Sequence, residues 1–164
     1  PNAAHLALAS LEKKYDVTII TQNVDDLHER AGSMNVHHLH GELLKVRSTG
    51  DPYLVYDWED DLKTGDTCEK GYQLRPHIVW FGEPVPMIEK AAQITSKADI
   101  LIIIGTSLAV YPAAGLIHYA QDNIPKYLVD PKTPHSVQLN NIKFIQQTAQ
   151  NGVPPMIEDI MNDK

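Results

Sequence analysis

The chain has one cysteine, Cys68. No disulfide can form within it, and a cytoplasmic setting is the expectation. Positive charge is short: 14 lysine and arginine residues stand against 21 aspartate and glutamate, a formal net charge of -7. Nucleic acid is thereby excluded as an expected partner, because phosphate binding needs a basic surface. Basic peptide partners fit this balance, as does plain solubility. Apolar runs fall far below the ~20 residues that span a bilayer, so no membrane partner is expected, and no signal-peptide pattern opens the chain. The dinucleotide fingerprint Gly-x-Gly-x-x-Gly does not occur, and neither does an internal repeat or a low-complexity tract. The first residue is Pro1, which makes a fragment or a processed product the expectation.

What is present is an ordinary globular composition, 43% hydrophobic and 21% charged over 164 residues, enough for one domain with a core. Asn2 is a candidate N-cap for a helix carrying Ala4, Leu8 and Leu11 and running to about Lys14. Val17 to Ile20 is a β-branched run, the mark of a strand buried on both faces. Asp25 or Asp26 can cap the next short helix, which Gly32 is suited to end. Val36 to His40 reads as a strand. Residues 48–74 are polar, acidic and rich in turn formers, with alternation from Tyr53 to Trp58, and read as a small insert. Met87, Ala91, Ile94 and Ala98 mark an amphipathic helix. Asp99 to Ile104 is the strongest buried-strand pattern, and Pro112 suits the first turn of a helix over 112–122. Strands at Lys126 to Val129 and Ile142 to Ile145 follow. A terminal helix from Val153 to Met161 has Pro154 and Pro155 at its start. This alternation predicts an α/β fold: a Rossmann-like parallel sheet flanked by helices, formed by 1–47 and 75–164, with the small subdomain 48–74 inserted.

The chemistry concentrates in one place. The strand ending at Ile20 runs into Thr21, Gln22, Asn23, Val24 and Asp25, and the next strand delivers His40 against Gly41. Open α/β sheets place ligands at the carboxyl ends of their strands. His40 is the candidate general base, since imidazole titrates near neutrality; the alternative is a partly buried histidine satisfied by its neighbours. Gln22, Asn23 and Asp25 supply donors and acceptors without positive charge; the alternative is a helix cap with a polar turn, and for Asp26 capping suffices. Gly105, Thr106 and Ser107 end a strand, where small residues let backbone N–H and hydroxyl groups approach a ribose or phosphate. His28, His37, His38 and His40 keep a metal-binding reading open, with His38 and His40 on one strand face.

The run Thr21-Gln22-Asn23-x-Asp25-x-Leu27-His28-x-Arg30-Ala31-Gly32, with the following His40-Gly41, resembles the sirtuins, the NAD-dependent protein-lysine deacylases. Val79-Trp80-Phe81-Gly82-Glu83, Gly105-Thr106-Ser107 and Val110-Tyr111-Pro112-Ala113-Ala114 agree, in the expected order. The resemblance implies NAD as cofactor and acyl-lysine proteins or peptides as substrates. The acyl oxygen attacks C1′ of the nicotinamide ribose, nicotinamide leaves, and the acyl group ends on ADP-ribose. Catalytic roles fall to His40 and Asn23. Cofactor contacts fall to Gln22, Asn23, Asp25, His40, Gly105, Thr106, Ser107, Asp130 at the adenosine ribose and the Ala149 backbone at adenine. Val79, Phe81, Gly82, Glu83, Val110 and Tyr111 would flank a groove that takes the peptide as an added strand; otherwise Trp80 and Phe81 are core aromatics. The run Gly41 to Arg47 resembles the bacterial, class III-like branch, so acetyl and succinyl groups are both candidate substrates.

Two departures from the sirtuin pattern stand out. Sirtuins open with a strand, a Gly-Ala-Gly-x-Ser loop and a Pro-x-Phe-Arg segment, and the resemblance begins after them. The alternative to an enzyme is thus a catalytically incompetent fragment, or a peptide-binding module that keeps the acyl-lysine groove. Most sirtuins also carry two Cys-x-x-Cys pairs in the insert. Here that region holds Cys68 alone, with Ser48 where the first cysteine is expected, so no zinc is expected. Tyr53, Val55, Tyr56 and Trp58 are expected to form an apolar cluster in its place.

Overall fold

The computed structural model describes residues 1–106, 108–132 and 140–163. Asn2 opens it as the sequence predicts: its side chain accepts from the N–H groups of Ala4 and His5, and α1 (Ala3–Leu11) follows. β1 (Ile19–Thr21) leads through α2 (Leu27–Ala31) to β2 (Val36–His38), which pairs with β1 in parallel. β3 (Gly41–Ser48), β4 (Val55–Asp57) and β5 (Leu74–Ile78) form an antiparallel sheet in the order β4-β3-β5. After α3 (Ile88–Ser96) come β6 (Leu101–Ile104), a 3-10 helix (Ala113–Tyr119), β7 (Lys126–Val129), β8 (Ile142–Ile145) and α4 (Ala149–Asn162). β6, β7 and β8 make a second parallel sheet in that order.

The apolar periodicity explains the layers. Ala4, Leu8 and Leu11 of α1 meet Val153, Met156, Ile157 and Ile160 of α4, with Ile19 and Val129 beneath them. Ala91 of α3 and Ala113 pack with Leu39 and Ile20, while Ile117 packs with Ile103 and Leu128. Parallel strands covered by helices make the Rossmann-like arrangement. α4 lies close on its sheet because Gly152 has no side chain; a Cβ there would sit 2.8 Å from Val129 Cγ1.

The structure corrects several local expectations. Among the described residues no strand pairing joins β1-β2 to β6-β7-β8. A cavity of about 860 Å³ lies there instead, walled by Leu8, Ile19, Ile94, Ile102 and Leu116 among others. α4 begins at Ala149, so Pro154 and Pro155 lie inside it. The carbonyls they deprive of a donor belong to Gln150 and Asn151, which are exposed to water. The helix expected over 112–122 is a shorter 3-10 helix, with Gly115 inside it and no side-chain cap bond.

In the antiparallel sheet's own core, Val46, Cys68 and Leu74 pack with Leu54, Tyr56, Trp58 and Leu62. Tyr56 and Trp58 therefore join the expected apolar cluster, but Tyr53 and Val55 do not; Tyr53 is 92% exposed. Strand alternation turns Val55 outward with Asp57, and Tyr53 sits in a turn closed by Asp51 Oδ1.

Candidate active site

β1 and β2 end side by side, and the loops leaving them carry the polar residues. The register sets Thr21 beside His38, and Leu39 N–H donates to Thr21 O at 2.9 Å. Leu39 is buried, which turns its neighbours His38 and His40 toward the loop after β1. His40 Nδ1 lies 3.1 Å from Gln22 O, and His38 Nδ1 lies 3.0 Å from Asn23 O. A carbonyl only accepts, so each Nδ1 donates. In neutral His40 this leaves Nε2 as the lone-pair nitrogen. His38 Nε2 lies 2.8 Å from Glu29 Oε1, so both nitrogens of that ring face acceptors.

Behind His40 the backbone turns at Gly41, with φ 86°. A Cβ there would stand 1.8 Å from His77 O, so only glycine fits. His40 O in turn accepts from Val79 N–H at 2.9 Å, which ties the histidine to the segment after β5.

Gln22 and Asn23 line the large cavity together with Gly105, Thr106, Ala149 and His28. Gly105 N–H donates to Val129 O, and Thr106 Oγ1 accepts from Leu108 N–H. Ser107 lies outside the described residues. Asp25 is not on this wall. It lines a smaller cavity of about 190 Å³ with Asp26, Glu29, His38 and Glu42, and its Oδ1 accepts from Leu27 N–H at 3.1 Å. The cap bond of α2 thus comes from Asp25, while Asp26, favoured from the sequence as a cap, pairs with Arg30 at 3.5 Å. Asp130 follows β7, and its Oδ1 accepts from Lys132 N–H at 2.7 Å.

Phe81 is 99% exposed and Trp80 55% exposed, which rules out a core role for either. Val110 and Tyr111 are also exposed, as is Gly82, while Val79 is half-buried. Glu83 turns inward. Its carboxylate accepts from Arg75 Nη1 at 2.7 Å, Trp80 N–H at 3.1 Å and Arg47 Nη2 at 3.3 Å. The Arg75 bond first, then the Trp80 amide, holds this carboxyl below the usual carboxylate range. Sequence reasoning missed both arginines. The β3–β5 register sets Arg47 opposite Arg75, and the one legible hint was that Arg75 and Glu83 flank one short segment.

Among the described residues, no three His, Cys, Asp or Glu side chains stand close enough to hold a metal ion. Cys68 Sγ donates instead to Ser48 Oγ at 3.3 Å.

The Sir2 family model matches residues 1–112. An NAD-dependent protein deacylase of Helicobacter pylori is 54% identical over 162 residues, covering 96% of this chain and 71% of the relative. Among solved structures, a Sir2 homologue in complex with NAD superposes with a TM-score of 0.85 at 35% identity, over 98% of this chain and 65% of that one. A Sir2–p53 peptide–NAD+ complex superposes with a TM-score of 0.78 at 31% identity, over 98% of this chain and 69% of that one. Together with the paired histidines and amides after β1 and β2, these matches place the chain: it belongs to the Sir2 family, the sirtuins.

Proposed function

We propose that the protein is an NAD-dependent protein-lysine deacylase of the class III-like bacterial branch, acting on acetyl- and succinyl-lysine. His40 carries this reading, because Gln22 O fixes its Nδ1–H and so aims Nε2 as the base. The surrounding donor set fits NAD: two amide side chains, a hydroxyl and an exposed glycine backbone around one cavity suit two ribose diols and a carboxamide. Gln22, Asn23, Gly105 and Thr106 would hold the nicotinamide half, with Asp130 and the Ala149 backbone toward the adenosine. Bound NAD supplies an electrophilic ribose carbon with nicotinamide as leaving group. His40 takes up a proton at Nε2, and its Nδ1 bond keeps the ring from turning. Asn23, whose carbonyl is held by His38, orients the reacting groups. Val79, Phe81, Val110 and Tyr111 border the peptide groove. The branch assignment is supported by the Gly41 to Arg47 run and by the deacylase name of the Helicobacter relative. A cytoplasmic setting accords with the single thiol.

The test is mass spectrometry after incubation with acetyl- and succinyl-lysine peptides, with and without NAD. NAD-dependent O-acyl-ADP-ribose supports the enzyme. Peptide binding with no such product supports the alternative, a binding module that keeps the groove.

A further inference from the structure

The loop from Ile78 to Glu83 projects its two largest apolar side chains, Trp80 and Phe81, into solvent, yet both of its ends are gripped. Trp80 N–H donates to Glu83 Oε2, closing the loop on itself at 3.1 Å. Arg75 engages both oxygens of that carboxylate, Nη1 at 2.7 Å and Nη2 at 3.3 Å, a two-point contact that a guanidinium can make and an ammonium cannot. Arg47 Nη2 adds a further bond at 3.3 Å. The same two guanidinium groups reach back to the loop's first carbonyl, Ile78 O, at 3.2 Å from Arg47 and 3.3 Å from Arg75. The two arginines lie opposite one another on β3 and β5, and among the described residues Glu83 is the carboxylate that pairs with both. Next to this grip, Val79 N–H is bonded to the carbonyl of His40.

We infer that Arg47, Arg75 and Glu83 are positioning residues for the peptide substrate. They form a clamp by which the antiparallel sheet sets the Trp80–Phe81 loop beside the general base. This rests on the groove assignment above and changes the role given to Glu83, whose carboxylate serves the loop instead of the substrate. An aromatic side chain left open on a loop this firmly bonded is a prepared contact surface, since the ordering cost is met before the ligand arrives. Loss of Glu83 leaves two neighbouring cations sharing one carbonyl, so the loop opens. Loss of Arg47 removes one bond at each end and has the smaller effect.

The experiment compares Glu83→Gln, Arg47→Gln and Phe81→Ala with the unaltered chain. The readouts are KM for an acetyl-lysine peptide, KM for NAD, and anisotropy of a fluorescent acetyl-lysine peptide, with circular dichroism as the folding check. Glu83→Gln keeps the side-chain volume and the acceptor for Trp80 N–H. It is expected to raise peptide KM, or the peptide's dissociation constant, about 10-fold, with NAD KM changed less than about twofold; Arg47→Gln is expected to raise it about threefold. Unchanged peptide affinity in folded Glu83→Gln overturns the clamp, and so does a parallel loss of NAD and peptide affinity, which marks a merely structural role. Should Glu83→Gln not fold, Arg47→Gln decides by the same split. If Phe81→Ala also leaves peptide affinity unchanged, the groove assignment itself fails. If Phe81→Ala weakens binding and Glu83→Gln does not, only the clamp fails.

Discussion

His40 Nδ1 stands 3.1 Å from the carbonyl oxygen of Gln22, so the residue after β2 takes its orientation from the residue after β1. One backbone acceptor therefore decides which imidazole nitrogen keeps its lone pair free. His40→Ala is expected to lower kcat by about 10²- to 10⁴-fold, the usual worth of a positioned acid–base group. The thermal midpoint should barely move, because the replaced side chain is only half-buried and its one bond goes to a loop carbonyl. Turnover near the original rate in a folded His40→Ala protein would remove His40 from the base role.

The next carbonyl along the same loop is held in the same way. His38 bridges Asn23 O and Glu29 Oε1, and its side chain is 7% exposed while that of Glu29 is 41% exposed. Glu29→Ala removes the outer support and lets the ring turn away from Asn23. Because the carboxylate is well solvated, the loss is set at about 0.5–1 kcal/mol, a rise in NAD KM of about two- to fivefold. Titration of NAD at saturating peptide measures it. Glu29→Gln retains an oxygen acceptor and is expected to fall between Glu29→Ala and the unaltered chain.

The sequence showed the strands of the parallel layers, the Asn2 cap and the residues after β1, because each is written in a short local pattern. Asn2 needs only the two N–H groups next to it, and Ile102 and Ile103 need only neighbours of like polarity. Long-range pairing was not legible. Arg47 and Glu83 are far apart in the chain and meet only through the β3–β5 register. Tyr53 was misplaced for another reason: its aromatic character argued for burial, but the turn at Asp51 carries it outward. Capping falls to Asp26 in the sequence reading, but Asp25 and Asp26 are both aspartate, and the backbone conformation brings the Leu27 N–H to Asp25 Oδ1.

The core of the antiparallel sheet is apolar, with Cys68 donating to Ser48 and packed beside Val46 and Leu74. These apolar contacts give the sheet a core of its own, and one thiol falls short of the four ligands that a structural zinc site takes. Treatment with a strong chelator is expected to leave the thermal midpoint unchanged, and elemental analysis to find no stoichiometric zinc. Cys68→Ser keeps a donor for Ser48 but buries a hydroxyl in place of a thiol, at a cost of about 1 kcal/mol in urea unfolding. A chelator-induced fall in the midpoint, or one zinc per chain, would overturn this account.

Acid sensitivity should come from two histidines first. His28 and His77 are both held below the ordinary imidazole range, chiefly by burial, with His5 adding to the effect at His28 and Arg47 at His77. Each has an Nδ1 that is buried without a partner among the described residues. The unfolded chain binds protons at these rings near pH ~6.5, whereas the folded chain resists until lower pH. Between those two points the unfolded state holds more protons, so stability rises with pH, and it is lost as pH falls through the lowered folded values. Glu83 is also depressed, by Arg75 and the Trp80 amide, but its contribution is intact until pH falls below the unfolded carboxylate value of ~4.3. The thermal midpoint is therefore expected to be level above pH 7 and to decline as the pH falls below about 6.5. His28→Gln, which cannot titrate, should shallow that decline. A midpoint that holds steady or rises from pH 7 to pH 5 would show that these rings are protonated in the fold as readily as in the open chain.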